Sequence, residues 1–187
     1  MGADVRFGSA RWAALAVALI NTAPSARQED LLTDAGQLRE LLLAHDEPGR
    51  VDVDDRDLAD ARHARDALGA VFGARESEGR VAAVLNELLA RTAQPRLVGH
   101  EGVPLHLHVD APGASWGGWL AASGAMALAL LIAEHGTGVL GQCQAPGCAR
   151  VLLRTGPGPA RRFCDSACAS RTRVAAYRAR RAIERDL

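Results

Sequence analysis

Apolar residues recur along the chain with two periods, and the change between them marks its organisation. Over residues 10–20 alanines and leucines fill nearly every position, which predicts a buried helix stopped by Asn21, Thr22 and Pro24. The next element starts near Asp34. Leu38, Leu41 and Leu42 fall at helical spacing there, and a polar run over 45–50 with Pro48 and Gly49 ends it. A third helix is predicted over 55–72, with Leu58, Ala61, Arg65 and Leu68 on successive turns and Gly69 or Gly73 closing it. A fourth runs over 81–91, where Val81, Val84, Leu85, Leu88 and Leu89 share one face. The period then becomes two-fold. Residues 96–98 and 105–109 read as a hairpin around His100-Glu101-Gly102, with Leu105, Leu107 and Val109 alternating with His106, His108 and Asp110. A long apolar helix follows from about Ser115 to Glu134, and Gly136-Thr137-Gly138 stops it.

A chain of 187 residues, 48% of them hydrophobic, can bury the core of one ordinary domain and still carry a small appendage. Charge divides the chain further on, just past the Gly136-Thr137-Gly138 stop. Every basic residue among the 22 is arginine and the formal net charge is zero. Residues 1–140 carry 12 arginines against 19 acids, a balance of −7, while residues 141–187 carry 10 against 3, a balance of +7. Such asymmetry points to an anionic partner for the basic part, nucleic acid first among them.

The basic part also holds all four cysteines, as Cys143-x4-Cys148 and Cys164-x3-Cys168. Two short loops that each present two thiolates meet the demand of a tetrahedral zinc ion, and four cysteines leave no open position for water or substrate, so such a zinc would be structural, one per chain. Two disulfides, or unrelated buried thiols, are the competing readings. Between the pairs a hairpin is expected, with residues 150–154 as one strand, residues 155–159 as the turn and residues 161–163 as the return strand. A helix carrying Cys168 in its first turn would follow.

These residues carry a family resemblance. The run Cys143-Gln144-Ala145-Pro146-Gly147-Cys148, then Arg161-Arg162-Phe163-Cys164-Asp165-Ser166-Ala167-Cys168, then Arg171 and Tyr177-Arg178-Ala179-Arg180 resembles the CGNR zinc finger. Cys168-Ala169-Ser170-Arg171 stands where that family has Cys-Gly-Asn-Arg, keeping the cysteine and the arginine. The preceding part is similar to the ABATE domain through Leu19-Ile20-Asn21-Thr22, Asp30-Leu31-Leu32 and the Ala-rich helix before the first cysteine. The resemblance implies a bacterial transcription regulator, in some cases linked to stress.

Arg171, Arg178 and Arg185 repeat every seven residues and Arg173 with Arg180 forms a second row, so a helix over 165–183 would be ringed with guanidinium groups, leaving Val174 and Tyr177 for packing. Arginine grips phosphate with paired donors and reads guanine in the major groove, which makes Arg161, Arg162, Arg171, Arg173, Arg178, Arg180 and Arg181 the candidate DNA contacts. The same arginines could instead pair with the acidic part, within one molecule or across a homodimer. His106 and His108 with His100 and Asp110 could make a second metal site, and are more simply the wet face of a strand. The acidic run over 52–60 suits a helix start, where carboxylates meet the positive helix end. Trp12, Trp116 and Trp119 could line a ligand pocket, and on apolar helices they fit a core.

No nucleotide-binding glycine loop, nucleophile elbow or other enzymatic motif occurs, so no enzyme is expected. Arg6 and Arg11 before the apolar run 12–20 resemble a signal peptide, but Pro24 and Ala26 occupy the cleavage positions, and the cysteine pairs suit a reducing compartment. A cytoplasmic protein is expected. Residues 116–133 approach the length of a membrane span, but their Ala/Gly/Ser content and lack of basic flanks favour a core helix and no membrane partner. The expected fold class is α+β: a mainly helical N-terminal domain with a small β-hairpin over 1–140 that senses a small-molecule effector or mediates association, then a treble-clef-like zinc finger over 141–187 that binds DNA. A protein-binding adaptor, or a small-molecule-binding or catalytic N-terminal domain with an accessory finger, are the alternatives.

Overall fold

Short polar side chains fix where the helices begin. The computed structural model describes residues 9–45, 51–100, 103–155 and 160–183, and opens with α1 (Ser9–Ile20). Asp34 accepts the Gln37 amide ahead of α2 (Ala35–Leu43), and Asp54 with Asp57 forms a reciprocal capping box ahead of α3 (Asp55–Gly73). Ser77 caps α4 (Glu78–Thr92), so that helix begins a turn before its first valine. Each cap satisfies an amide that the first helical turn leaves without a partner.

Strands β1 (Arg96–His100) and β2 (Val103–His108) pair antiparallel, with Arg96 opposite His108 and Val98 opposite His106. The long helix α5 (Trp116–His135) follows, then a 3-10 turn (Thr137–Val139), the short strands β3 (Leu140–Gln142) and β4 (Val151–Leu153), and α6 (Ser166–Ile183). Residues 46–50, 101–102 and 156–159 and Arg185 lie outside the described residues, and with them the polar run after α2, the tip of the first hairpin and the Gly156–Pro159 turn.

Helix α5 is the centre of the body, packed against α1, α3 and α4. By length and composition it could cross a membrane, yet 56% of its most apolar window is buried inside the protein. Its small residues explain how closely the neighbours approach. A Cβ on Gly117 would sit 2.2 Å from the Asp60 carbonyl carbon, so only glycine lets α5 cross α3 there. At the same crossing the Trp116 amide donates to Asp57 and the Ser115 hydroxyl to Asp60. The acidic run therefore caps two helices, its own and α5. Phe72, Leu19, Leu32, Leu38, Leu42, Leu68 and Leu128 are fully buried, each such side chain contributing roughly 1.5–3 kcal/mol of transfer free energy. Trp12, Trp116 and Trp119 pack edge to face against this core.

Between α1 and α2 the chain is held by a half-buried ion pair. Arg65 on α3 donates to Asp30 at 2.7 Å and reaches Thr22, whose hydroxyl in turn donates to the Leu19 carbonyl. Burial works to raise the Asp30 carboxyl, but the Arg65 guanidinium, the Leu32 amide and the charge of Arg62 outweigh it and hold Asp30 below its ordinary value.

The first hairpin reverses the expected polarity. Leu97 and Leu105 are 71% and 72% exposed, while His106 and His108 are half-buried and Asp110 buried; the leucine face turns inward only at its end, where Leu107 is half-buried and Val109 buried. The histidine face is thus the inner one. Arg96 bonds the Asp110 carbonyl and sits 3.6 Å from its carboxylate, and the two imidazoles meet at 2.9 Å between Nε2 atoms, so polar pairing rather than leucine burial orients the strand.

Candidate metal centre and nucleic-acid interface

The first cysteine pair rides on a hairpin, though a different one from that expected. Strand β4 pairs with β3, Gln142 opposite Val151, and the turn between them carries Cys143 and Cys148. Residues 161–163 form no strand. They contribute one backbone bond, from the Gln144 amide to the Arg162 carbonyl at 2.9 Å. The apolar face of β3 and β4 decides the pairing: Val139, Leu140 and Val151 belong to the same buried cluster as α1, α3 and α5, which anchors the turn to the body. Within the turn Gly147 has φ +73, a left-handed conformation that favours glycine, and the Arg27 side chain lies over it.

The second pair is set by α6. Cys168 lies in its first turn, and its amide donates to Asp165 Oδ1 at 2.6 Å. That bond holds the Asp165 carboxyl below its ordinary value and fixes the helix start between the two cysteines.

The four sulfurs lie within 4.8 Å of one another, with Cys148 to Cys164 at 3.8 Å and Cys164 to Cys168 at 3.5 Å. A tetrahedral zinc with sulfurs at about 2.3 Å requires sulfur–sulfur separations of roughly 3.8 Å, whereas a disulfide requires about 2.05 Å. The geometry therefore fits one structural zinc, and no cysteine is disulfide-bonded. The thiols alone are in conflict. Burial and the neighbouring sulfurs push Cys164 upward, and burial likewise raises Cys168. At Cys143 burial is outweighed by the Ala145 and Cys164 amides, which bring it down to about 7. A bound dication removes the conflict by favouring all four thiolates.

Three of the candidate arginines serve this scaffold. Arg171 donates to Cys168 Sγ at 2.9 Å, which gives a reason for arginine at the end of the Cys168–Arg171 tetrapeptide: it offsets the surplus charge of four thiolates around a dication. Arg161 bonds the carbonyls of Phe163 and Cys164, and Arg162 bonds Gln144 Oε1 at 2.7 Å while lying over the Phe163 ring. Arg173, Arg178, Arg180 and Arg181 are exposed along α6, with Arg173 bonding Ser170 and Arg181 the Tyr177 hydroxyl. No carboxylate among the described residues pairs with any arginine of α6. Val174 and Tyr177, expected to pack, are 49% and 54% exposed, because α6 leaves the body after its first turn.

A seam joins finger to body through residues that local pattern does not single out as functional. The Asn21 side chain donates to the Val151 carbonyl at 3.0 Å and accepts its amide at 2.8 Å, completing β4 as a third strand would. Gln28 Oε1 accepts from Arg150 at 2.8 Å, and Arg150 also reaches Asp165 at 3.4 Å. The Asn21-Thr22 pair was visible in the family resemblance; its partner at Val151 lies 130 positions away, beyond any local signal.

Comparison with known proteins agrees with this geometry. A model described as CGNR zinc finger matches residues 140–181, and one described as "ABATE: Putative stress-induced transcription regulator" matches residues 13–135. A search of the curated proteins finds no match. With the ABATE model matching well over half of its residues, the chain belongs to the ABATE family and carries a CGNR zinc finger after that domain.

Proposed function

We propose that the chain is a cytoplasmic, non-enzymatic transcription regulator that binds DNA through α6 and lets the helical body govern that binding. One observation carries the reading: α6 stands clear of the body with exposed arginines on both flanks and no carboxylate among the described residues to neutralise them. Arg173 and Arg180 fall on one side of the helix, Arg171 and Arg178 on the other, and Arg181 lies between the two rows. A helix about 10–12 Å across fits a major groove about 12 Å wide, where phosphates flank it on both sides. An acidic protein surface would engage one row only. The charge survives the metal, because four thiolates and a dication reduce the +7 of residues 141–187 to about +5.

Fluorescence anisotropy of the zinc-loaded full chain on a random duplex tests this. Binding should weaken with salt at a log–log slope of roughly −4, as about four arginine–phosphate contacts dictate. No binding at low salt would overturn it. The exposed Val174 and Tyr177 favour the adaptor reading as the second choice, in which α6 docks on a protein and duplex binding is absent.

A further inference from the structure

The seam between body and finger forms a half-open cavity of about 250 Å³, with walls from both. Gln28 comes from the segment after α1, Phe72 and two glycines from α3, Arg75 from just beyond it, and Arg150 from the finger. We propose that this cavity binds a small carboxylate with an apolar body, and that its occupancy holds the finger in the docked position. The proposal locates the effector site of the regulator reading and rests on that reading only for what the binding controls.

Chemistry of the lining points to an anion. The guanidinium groups of Arg75 and Arg150 line the cavity, and so do Asn21, Gln28 and Gln142; the Asn21 amide is spent on Val151 and the Gln28 amide on the Asn21 and Ala23 carbonyls and on Arg150, and no carboxylate lines the space. Arg75 directs Nε to Glu76 and Nη1 to the Phe72 carbonyl, leaving Nη2 with no partner among the described residues. Arg150 is held by Gln28 and by the Asp165 carboxylate, so its charge and that of Arg75 are partly offset and both are fixed in position, with Nη2 of Arg75 the donor left for a ligand.

The floor points to the apolar body. Gly69 and Gly73 are four residues apart on α3 and so lie one above the other on the same face. A Cβ on Gly69 would meet only Ile20 at 3.8 Å, and one on Gly73 would meet nothing within 4 Å. Gly73 is the exposed last residue of α3, where a glycine closes a helix; at Gly69, inside the helix, alanine would fit and favour the helix, so packing does not explain that glycine and an open floor beside Phe72 and Ile20 does. The space equals roughly eight waters, the size of a benzoate or hexanoate ion.

Occupancy would act on the finger through linkage. Gln28, Asn21, Arg150 and Val151 line the cavity and also form the seam bonds, so a ligand that touches both walls binds the docked arrangement and stabilises it.

Isothermal titration calorimetry on the zinc-loaded full chain decides this, with benzoate and hexanoate as probes, benzylamine as the size-matched cation and inorganic phosphate as the anion without an apolar body. One of the two carboxylates should bind at one site with Kd of about 1 mM or tighter. Benzylamine and phosphate should not bind. Gly73→Ala should weaken the carboxylate about tenfold by occupying the floor, with thermal stability equal or higher, and Arg75→Gln should weaken it comparably. Saturating carboxylate should slow zinc transfer to a chelator about twofold or more. Binding of neither carboxylate, binding unaffected by both substitutions, equal binding of phosphate, or unchanged zinc transfer would overturn the proposal. Duplex anisotropy on the same protein separates the two readings: carboxylate binding without DNA binding sinks the regulator, and the reverse sinks the site.

Discussion

The helical body and the zinc finger solve the same problem by different means. The body buries one continuous apolar cluster running from α1 to α5. The finger's own cluster has three buried members, Cys143, Ala145 and Cys168, with Cys148, Phe163 and Cys164 against them. Ordering each residue costs about 1–2 kcal/mol of backbone entropy, far beyond what so few apolar contacts return. Four thiolates around a dication make up the difference. The contrast teaches why α6 can be so basic: because the metal fixes its first turn, the rest of the helix is released from packing and its surface is open to charge.

The largest expected effect separates the two parts outright. Cys164→Ser, or zinc removal by a chelator, should remove binding free energy on the order of 10 kcal/mol from the finger. Hydrogen exchange should then show the amides of α6 unprotected while α3 and α5 keep their protection. The boundary should fall within the finger, because β3 and β4 pack on the body's core; loss of protection in α5 as well would show that the two parts fold as one.

Acid should separate them next. Cys164 and Cys168 are raised and hold protons near neutrality, and Cys143 titrates near 7. Zinc must displace at least two protons above pH 7 and at least three below it. Its affinity should therefore fall as pH falls, by at least about a hundredfold per pH unit above 7 and about a thousandfold below. Competition with a chelator between pH 6 and pH 8.5 measures it. The body responds in another range. Asp30 is lowered from its ordinary 3.8, so its ion pair with Arg65 contributes stability that is complete above that value and lost only as pH falls below it. Near pH 6 the finger should release metal while the body's helical signal is unchanged.

The body was readable in outline because its signals are local. Leu38, Leu41 and Leu42 announce α2, and Asp34, Asp54 and Ser115 stand where caps belong, so those helix starts follow from neighbours within one turn. The four cysteines were readable for the same reason, as spacing alone brings each pair together. What the pattern missed depends on distant contacts. A strand was expected over 150–154 and β4 lies within it, but its partner β3 is three residues long, too short to display a two-fold period, and pairs there because the body offers an apolar surface. Leu105 and His106 sit on opposite faces of β2, and which face turns inward was decided by Arg96 and Asp110 rather than by hydrophobicity. The roles of Arg161, Arg162 and Arg171 beside the metal were hidden too, since charge counting treats every arginine alike.

At the seam the effect should be smaller. Asn21→Ala leaves the Val151 amide and carbonyl without their partner, costing about 2 kcal/mol. Hydrogen exchange should speed at Val151 while the zinc stoichiometry of one is kept. Unchanged exchange there would mean that β3 alone holds β4 in place.

Arg171 and Arg178 make the finest comparison, because they are seven residues apart on the same side of α6 and differ only in what they touch. Arg171 gives a donor to Cys168 Sγ, while Arg178 is exposed with no carboxylate partner among the described residues. Replacing Arg178 by Gln should reduce the salt slope of duplex binding by about one unit and leave zinc release unchanged, the signature of one lost phosphate contact. Replacing Arg171 by Gln should speed zinc release about tenfold or more, since a bond that steadies a metal-bound thiolate is lost, whatever it does to the slope. The two variants together place the border between the part of α6 that serves the metal and the part that serves the partner. If both change only the salt slope, the thiolate bond of Arg171 has no energetic role. If both change only zinc release, α6 is an extension of the metal site along its whole length, and the charge that distinguishes finger from body has no phosphate to meet.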